Sequence, residues 1–117
     1  MGRVIAISNQ KGGVGKTTTS INLSASLALL GKTVLLIDFD PQANTTSGLG
    51  LMQGEFTQNI YRSIISGEPL KDQILSTDIA RLKLVPTTID LTGAEIELVE
   101  TASREQKLKS VIGQLVD

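Results

Sequence analysis

The sequence predicts an α/β fold in which a mostly parallel sheet is flanked by helices. Two short runs, residues 3–8 (RVIAIS) and 33–38 (TVLLID), are apolar, as in parallel strands that are covered on both faces. A glycine-rich turn and a helical segment separate the two runs, and this order predicts a right-handed βαβ unit. The chain has 117 residues, 40% of them hydrophobic, which is enough for one domain with an apolar core.

The first helix is predicted over residues 16–30, where leucine and isoleucine are mixed with small alanine and serine side chains. Gly31 follows and is a typical C-terminal stop, because glycine adopts the left-handed conformation without a steric penalty. The second strand comes directly afterwards. The helix is therefore expected to connect the two strands and to cover one face of the sheet.

The middle of the chain contains a polar stretch, residues 39–56, with glycines and no clear period. Its length is unusual for an inert connection, so we predict a functional loop there. A second helix is predicted over residues 57–66 (TQNIYRSIIS), ending at Gly67. The apolar run Leu82–Val85 predicts a third strand, which Pro86 closes.

The last part of the chain is predicted to contain two helices. Each is opened by the spacing of a capping box, in Thr92-x-x-Glu95 and in Ser103-x-x-Gln106. The final helix has one apolar face, formed by Leu108, Val111, Ile112, Leu115 and Val116. The charged residues of both helices are interpreted as solvated outer faces: Glu95, Glu97, Glu100, Arg104, Lys107 and Lys109.

The composition excludes several classes of protein. There is no cysteine, which excludes disulfides, iron–sulfur clusters and thiol catalysis, and no histidine, which removes the usual general base. The net charge of −1 gives no electrostatic footprint for DNA or for acidic membranes. No apolar run approaches membrane-spanning length, and the first residues lack the layout of a signal peptide. We therefore expect a cytoplasmic protein without a membrane partner.

Residues 8–20 (SNQKGGVGKTTTS) place three glycines between two lysines, directly after the first predicted strand. Glycine lets the backbone curl closely around an anion, so that several N–H groups point at one phosphate chain. The following helix adds unpaired N–H groups and the positive end of its dipole. In such a loop Lys16 reaches the β- and γ-phosphates and the Thr17 hydroxyl ligates Mg²⁺. The alternative is a plain glycine turn that joins strand to helix.

The loop departs from the ordinary phosphate-binding motif, because Gln10 stands where that motif has its first glycine. The departure comes with an additional lysine, Lys11, and K-G-G-V-G-K-T resembles the deviant Walker A loop of the ParA/MinD family of ATPases. The resemblance implies ATP as the nucleotide and a sandwich homodimer in which Lys11 reaches the partner's ATP. Lys11 and Lys16 would then stabilise charge in the transition state. The implied nucleotide contacts are Lys11, Gly12, Gly13, Val14, Gly15, Lys16, Thr17 and Thr18.

Two aspartates follow the second predicted strand, within residues 35–50 (LLIDFDPQANTTSGLG). Carboxylates at the C-terminal end of a parallel strand face the crevice where nucleotide and metal bind. Without the glycine loop, Asp38 and Asp40 would be interpreted as turn residues before a proline. The stretch resembles the D-x-D-P-Q segment of partition ATPases. That resemblance implies that Asp40 positions or activates the attacking water and that Asp38 supports the metal, with Gln42 and Asn44 in a nucleotide-responsive segment.

The resemblance covers the whole chain, and residues 85–109 are more similar to the chromosomal ParA branch (Soj-like) than to MinD. It implies that residues 1–117 are the N-terminal portion of a single P-loop NTPase domain, without its Walker B strand and C-terminal half. In the family's sheet the Walker B strand lies between the strands that correspond to residues 3–8 and 33–38. We therefore expect the chain to oligomerise, to rearrange so that these two strands pair directly, or to be marginally stable.

The implied function is that of a ParA-type ATPase in chromosome or plasmid partitioning, which hydrolyses ATP with Mg²⁺. The implied partners are a second copy of the chain, a ParB-like centromere-binding protein, and the non-specific DNA of the nucleoid, held by residues outside this chain. Two alternatives stay open. One is a nucleotide-binding or interaction module without turnover. The other is a MinD-like cell-division ATPase, which would need a C-terminal amphipathic membrane helix, whereas the final helix here has little basic character.

Overall fold

The computed structural model describes residues 2–5, 7, 14–39, 43–87 and 104–113. In chain order the elements are α1 (Val14–Leu29), β1 (Val34–Ile37), α2 (Asn44–Gly48), α3 (Ile60–Ile64), a 3₁₀ helix (Leu70–Gln73), β2 (Leu75–Ser76), β3 (Leu82–Val85) and α4 (Arg104–Gly113). The three strands form one sheet in the order β1–β3–β2. β1 and β3 are parallel, and β2 and β3 are antiparallel. The predicted α/β class is confirmed, with a small mixed sheet in the described part.

The helix α1 begins two residues before the predicted start and ends in a Schellman motif. Gly31 has a φ of +91°, and its N–H donates to the carbonyl of Ala28 at 3.0 Å. The N–H of Lys32 donates to the carbonyl of Leu27, also at 3.0 Å. These two bonds satisfy carbonyls that the end of a helix leaves unpaired. The chain then turns directly into β1, against which α1 packs.

Because β1 and β3 are parallel, their carboxyl ends lie at the same edge of the sheet. The register of this pair matches Val34 with Leu82 and Ile37 with Val85, so that both predicted strands are confirmed. The N–H of Asp38 donates to the carbonyl of Val85 at 3.0 Å and extends the ladder by one residue. The apolar side chains of β3 are almost fully buried. This strand is therefore the centre of the described sheet.

The helix α3 is shorter than the helix predicted over residues 57–66. The Asn59 side chain accepts a hydrogen bond from the N–H of Arg62 at 3.1 Å, so Asn59 caps the helix and residues 57–58 stay outside it. The N–H of Ile60 donates to the carbonyl of Pro86 at 2.9 Å and ties α3 to the end of β3. The buried core around this junction consists of Ile60, Tyr61, Ile64, Leu70, Val85 and Val111.

The chain leaves α3 through Gly67, which has a φ of +72°. This conformation favours glycine and agrees with the predicted end of the helix near this residue. On the surface, Arg62 Nε donates to Glu68 Oε2 at 2.9 Å. That hydrogen bond, together with the carboxylate charge, raises the pKa of Arg62 above its usual value.

The strand predicted over residues 3–8 is wrong for the described part of this segment. Residues 2–5 and 7 have neither strand nor helical structure, and Val4 and Ile5 are 60% and 57% exposed. A strand is stable only when a neighbour accepts and donates its hydrogen bonds. Among the described residues, β1 pairs with β3 and with no other strand. For residues 3–5 and 7, direct pairing with β1 is therefore wrong as well, whereas oligomerisation and marginal stability stay predictions.

Three short elements were not predicted: α2, the 3₁₀ helix and β2. The helix predicted from Thr92 lies outside the described residues. The final helix is confirmed as α4, with Val111 buried and Leu108 and Ile112 partly buried, while Ser103, Leu115 and Val116 also lie outside the described residues. In the ranges that the structure describes, no helix has the length and apolar character needed to cross a membrane.

Candidate functional site

The predicted site residues fall into two groups. One group lies outside the described residues: Lys11, Gly12, Gly13, Asp40 and Gln42. The other group lies on three neighbouring elements. The beginning of α1 carries Val14, Gly15, Lys16, Thr17 and Thr18, Asp38 directly follows β1, and Asn44 opens α2. The described part of the candidate site is therefore built from the first turns of α1, the carboxyl end of β1 and α2.

The helix α1 begins at Val14, directly after the double glycine of the sequence. The first four N–H groups of any α-helix lack an intrahelical acceptor, and its N-terminal end carries a partial positive charge. Lys16 and Thr17 lie in this first turn, and the Thr17 side chain is partly buried. Such a helix end is suited to binding an anion when the loop before it supplies further N–H groups.

Asp38 is almost fully buried, with 3% of its surface exposed, at the carboxyl end of β1. Its Oδ2 atom accepts a hydrogen bond from the N–H of Thr46 at 2.8 Å and another from the Thr46 hydroxyl at 2.6 Å. Hydrogen bonds to an ionised carboxylate are short and strong, and two from one residue also fix its orientation. Asp38 therefore attaches α2 firmly to the end of β1.

Thr46 also connects α2 to the segment that follows β3. Its Oγ1 atom accepts a hydrogen bond from the N–H of Thr87 at 3.2 Å. The carbonyl of Thr87 in turn accepts from Gln53 Nε2, also at 3.2 Å. The carboxyl ends of two parallel strands and the loop over residues 43–53 thus share one hydrogen-bond network. The hydroxyl of Thr87 is buried without a hydrogen-bond partner in the described part of the chain.

The helix α2 packs closely on α1. Ala43, which precedes it, is 1% exposed and has a φ of +58°, so the chain turns sharply into this short helix. A Cβ atom at Gly48 would lie 2.6 Å from Ile21 Cδ1 and 3.9 Å from Thr17 Cγ2. A side chain at position 48 would therefore collide with Ile21 unless Ile21 moved. The Thr17 side chain therefore lies beside Gly48, and Asp38 is hydrogen-bonded to Thr46, so that residues of two different elements adjoin α2.

The donor set fits a hard divalent cation. Hydroxyl and carboxylate oxygens are the ligands that Mg²⁺ prefers, and the histidine and cysteine ligands of softer metals are absent from the sequence. Thr17 and Asp38 both adjoin the same element, α2, as expected for residues of a single site. Within residues 14–39, 43–87 and the other described ranges, no group of three or more acidic, histidine or cysteine side chains forms a metal cluster.

Sequence reasoning missed three residues of this site: Thr46, Gly48 and Thr87. Thr87 had a detectable signal, because it follows a parallel strand just as Asp38 does, and the carboxyl ends of parallel strands meet at one edge of the sheet. Thr46 and Gly48 had none. They lie in a polar stretch without a period, and their roles depend on contacts with β1 and α1 that only the packed structure defines.

Comparison with known proteins identifies the group to which the chain belongs. Residues 2–117 match a family model described as an AAA domain. The chain is 54% identical over 112 residues to the sporulation initiation inhibitor protein Soj of Bacillus subtilis (strain 168), covering 96% of this chain and 44% of that protein. It is 50% identical over 115 residues to the chromosome partitioning protein ParA of Myxococcus xanthus (strain DK1622), covering 98% and 41%. The chain thus spans less than half the length of these relatives.

A solved structure with a similar fold is cobyrinic acid a,c-diamide synthase from Mycobacterium smegmatis with bound ADP and magnesium. It superposes with a TM-score of 0.86 and 38% identity, covering 99% of this chain and 47% of that one. This similarity of fold agrees with the P-loop NTPase class. From the family match, these relatives and this fold, we conclude that the chain belongs to the ParA/MinD family of P-loop ATPases and corresponds to the N-terminal part of its domain.

Proposed function

We propose that the chain binds ATP with Mg²⁺ at the beginning of α1 and provides the nucleotide site of a ParA-type partition ATPase. In this proposal the N–H groups of residues 11–18 and the Lys16 ammonium hold the phosphates. Thr17 ligates Mg²⁺, and Asp38 supports the metal from the end of β1. Bound Mg²⁺ would neutralise phosphate charge during hydrolysis. The same proposal includes ATP hydrolysis and a nucleotide-dependent homodimer. It also includes a ParB-like partner and binding to non-specific DNA of the nucleoid in the cytoplasm.

The observation that carries the proposal is that Thr17 and Asp38 both adjoin α2. A hydroxyl in the first turn of a helix and a buried carboxylate at the carboxyl end of the adjoining strand are a suitable donor pair for Mg²⁺. The names of the relatives add two kinds of support. Soj and ParA favour a partition role, whereas the structure with ADP and magnesium favours the nucleotide alone, because its own name is that of a different enzyme.

The first test measures binding of ATP to the 117-residue chain by calorimetry, with and without Mg²⁺. We expect Lys16→Ala to lower the affinity by about tenfold or more, because a hydrogen bond to a charged phosphate oxygen contributes about 1.5–3 kcal/mol. Lys32→Ala is the matched control. It removes the same charge from an exposed lysine just beyond the other end of α1. Equal affinity of Lys16→Ala and the unmodified chain would contradict the proposed site.

The second test separates the roles of Lys11 and Asp40, in a version of the chain extended to the length of its relatives. Asp40→Ala should keep ATP-dependent dimerisation and lose hydrolysis, because the phosphate-binding loop is unchanged. Lys11→Ala should keep ATP binding and lose both dimerisation and hydrolysis, because this lysine is proposed to serve the partner's nucleotide. Light scattering and phosphate release measure the two properties. An Asp40→Ala protein that no longer dimerises with ATP would make Asp40 a structural residue instead.

A non-catalytic binding module is the second candidate function for the 117-residue chain. It rests on the length comparison, since the chain covers 44% of the Soj relative. Binding of ATP without phosphate release by this chain, together with phosphate release by the extended version, would favour the module for the shorter chain. Phosphate release by the 117-residue chain that Lys16→Ala abolishes would exclude it.

A further inference from the structure

Thr46 has no role in the proposed nucleotide contacts, yet it takes part in three hydrogen bonds of the described site. It is 0% exposed. Its N–H and its hydroxyl both donate to Asp38 Oδ2, at 2.8 Å and 2.6 Å, while its hydroxyl oxygen accepts from the Thr87 N–H at 3.2 Å. The Thr46 side chain thus joins Asp38, at the end of β1, to Thr87, after the end of β3.

The direction of these bonds follows from the chemistry of a hydroxyl group. It has one proton, which goes to the carboxylate, and two lone pairs, one of which accepts from the amide. In a buried network each bond polarises the next, so a change at the carboxylate alters the strength of the bond to the amide. A valine of the same shape would fill the space without making either bond.

We propose that Thr46 is a positioning residue that couples the carboxylate of Asp38 to the loop over residues 43–53 and to the segment after β3. A change in the charge on Asp38 is thereby transmitted to the Thr87 amide. Where the charge is changed by Mg²⁺ and ATP, the inference rests on the proposed function. The coupling between Asp38, Thr46 and Thr87 does not require a nucleotide, and it can be tested without one.

The test without nucleotide follows amide hydrogen exchange by NMR in the 117-residue chain. Thr46→Val removes the hydroxyl and should speed exchange of the Thr87 amide about fivefold to tenfold, the effect of losing one hydrogen bond. Thr46→Ser keeps the hydroxyl and should retain most of the protection. The amide of Ile65, which donates to the carbonyl of Tyr61 at the C-terminal end of α3 at 2.8 Å, is the internal reference for global unfolding.

A double-mutant cycle then isolates the coupling. Asp38→Asn keeps an acceptor oxygen but removes the charge, and should speed exchange at Thr87 more than at Ile65. In the Thr46→Val background the same change should have no further effect on Thr87, because the connecting hydroxyl is gone. If Thr46→Val does not fold, Asp38→Asn in the unmodified background and in Thr46→Ser still tests whether Thr87 responds to the charge.

A last arm adds Mg²⁺ and ATP, with the affinity measured by calorimetry. In the unmodified chain, the ligand should change exchange at both Thr46 and Thr87, and Thr46→Val should abolish the change at Thr87. The Thr46→Val chain should bind ATP without Mg²⁺ as tightly as the unmodified chain does. The gain in ATP affinity that Mg²⁺ provides should be about tenfold smaller in Thr46→Val. If the unmodified chain does not bind ATP, the proposed function fails, and the cycle still decides the coupling.

Two results would overturn the inference. In the first, Thr46→Val speeds exchange at Thr87 and at Ile65 by the same factor, so that Thr46 only contributes to overall stability. In the second, Asp38→Asn changes exchange at Thr87 equally in the presence and absence of the Thr46 hydroxyl. The charge would then reach Thr87 by a path that does not include Thr46.

Discussion

At the scale of single residues, two buried polar side chains of the described structure differ in their hydrogen bonding. Asp38 accepts two hydrogen bonds at one oxygen from Thr46, so its burial is compensated. The hydroxyl of Ser63, in α3, is buried and has no hydrogen-bond partner among the described residues. A buried hydroxyl without a partner lowers the stability of the folded state, because unfolding returns it to water.

Ser63→Ala should therefore stabilise the chain by about 1 kcal/mol or more, since it removes the unpaired hydroxyl and adds the better helix former. The free energy of unfolding in urea measures the effect. Ser66→Ala is the matched control, because Ser66 lies just beyond α3 and is exposed, and it should change the free energy little. A destabilised Ser63→Ala protein would mean that the hydroxyl has a partner in solution.

At the scale of elements, α2 depends on its neighbours. With five residues it is far too short to form as an isolated helix. Its attachments include the bonds between Thr46 and Asp38, the bond from the Thr87 N–H to Thr46, and the close approach of Gly48 to Ile21 on α1. The element that joins the two halves of the candidate site is therefore defined by tertiary contacts.

The Gly48 contact predicts a coupling between α1 and α2. In Gly48→Ala the new methyl group meets Ile21 Cδ1, while Ile21→Val removes that carbon atom. We expect Gly48→Ala to be more favourable in the Ile21→Val background than in the unmodified chain, by about 0.5–1 kcal/mol. Urea unfolding of the four proteins of the cycle measures this difference. Strictly additive effects would show that α2 and α1 do not touch at this point in solution.

At the scale of the whole molecule, the described core is one cluster of buried residues from several elements. It brings together α3, the 3₁₀ helix, β3 and α4. Val4 and Ile5, in the apolar segment at the start of the chain, do not take part, since both are more than half exposed. Burial of apolar surface is the main driving force of folding, so stability should depend on the core and little on this segment.

Replacing isoleucine by valine at a core residue and at an exposed residue tests whether stability depends on the core. Ile60→Val, at a residue that is 0% exposed, should lower the free energy of unfolding by about 0.5–1.5 kcal/mol. Ile5→Val, at a residue that is 57% exposed, should leave it nearly unchanged. Both are measured by urea unfolding of the 117-residue chain. A comparable loss from Ile5→Val would mean that the first residues pack into a core or interface in solution.

The elements that could be predicted from the sequence are those with a strong local pattern. The helix α1 has a glycine stop, and the strands Val34–Ile37 and Leu82–Val85 are uninterrupted apolar runs. Residues 3–8 have an equally apolar pattern, but their described part is not a strand. A strand requires hydrogen bonds from a neighbour, and composition alone does not show whether that neighbour is present.

The residues of the candidate site also fall into those that local sequence patterns predicted and those that they did not. Thr17 and Asp38 were predicted because their residue types follow a glycine loop and a buried strand, which are local features. Thr46 and Thr87 were not, since their importance arises from hydrogen bonds between residues eight and 41 positions apart. The proposed roles of Lys11 and Asp40 come from family resemblance and stay predictions.

By itself, the sequence determined the α/β class and, through its resemblance, the family, whereas the phosphate-binding loop stays a prediction. The class and the family depend on residue type, spacing and period, which are local properties of the chain. Only the tertiary structure decided that α2 adjoins both α1 and the end of β1, that Thr46 links two strand ends, and that Val4 and Ile5 are exposed. Such features depend on which distant residues approach one another, and that is decided by packing and hydrogen bonding of the whole chain.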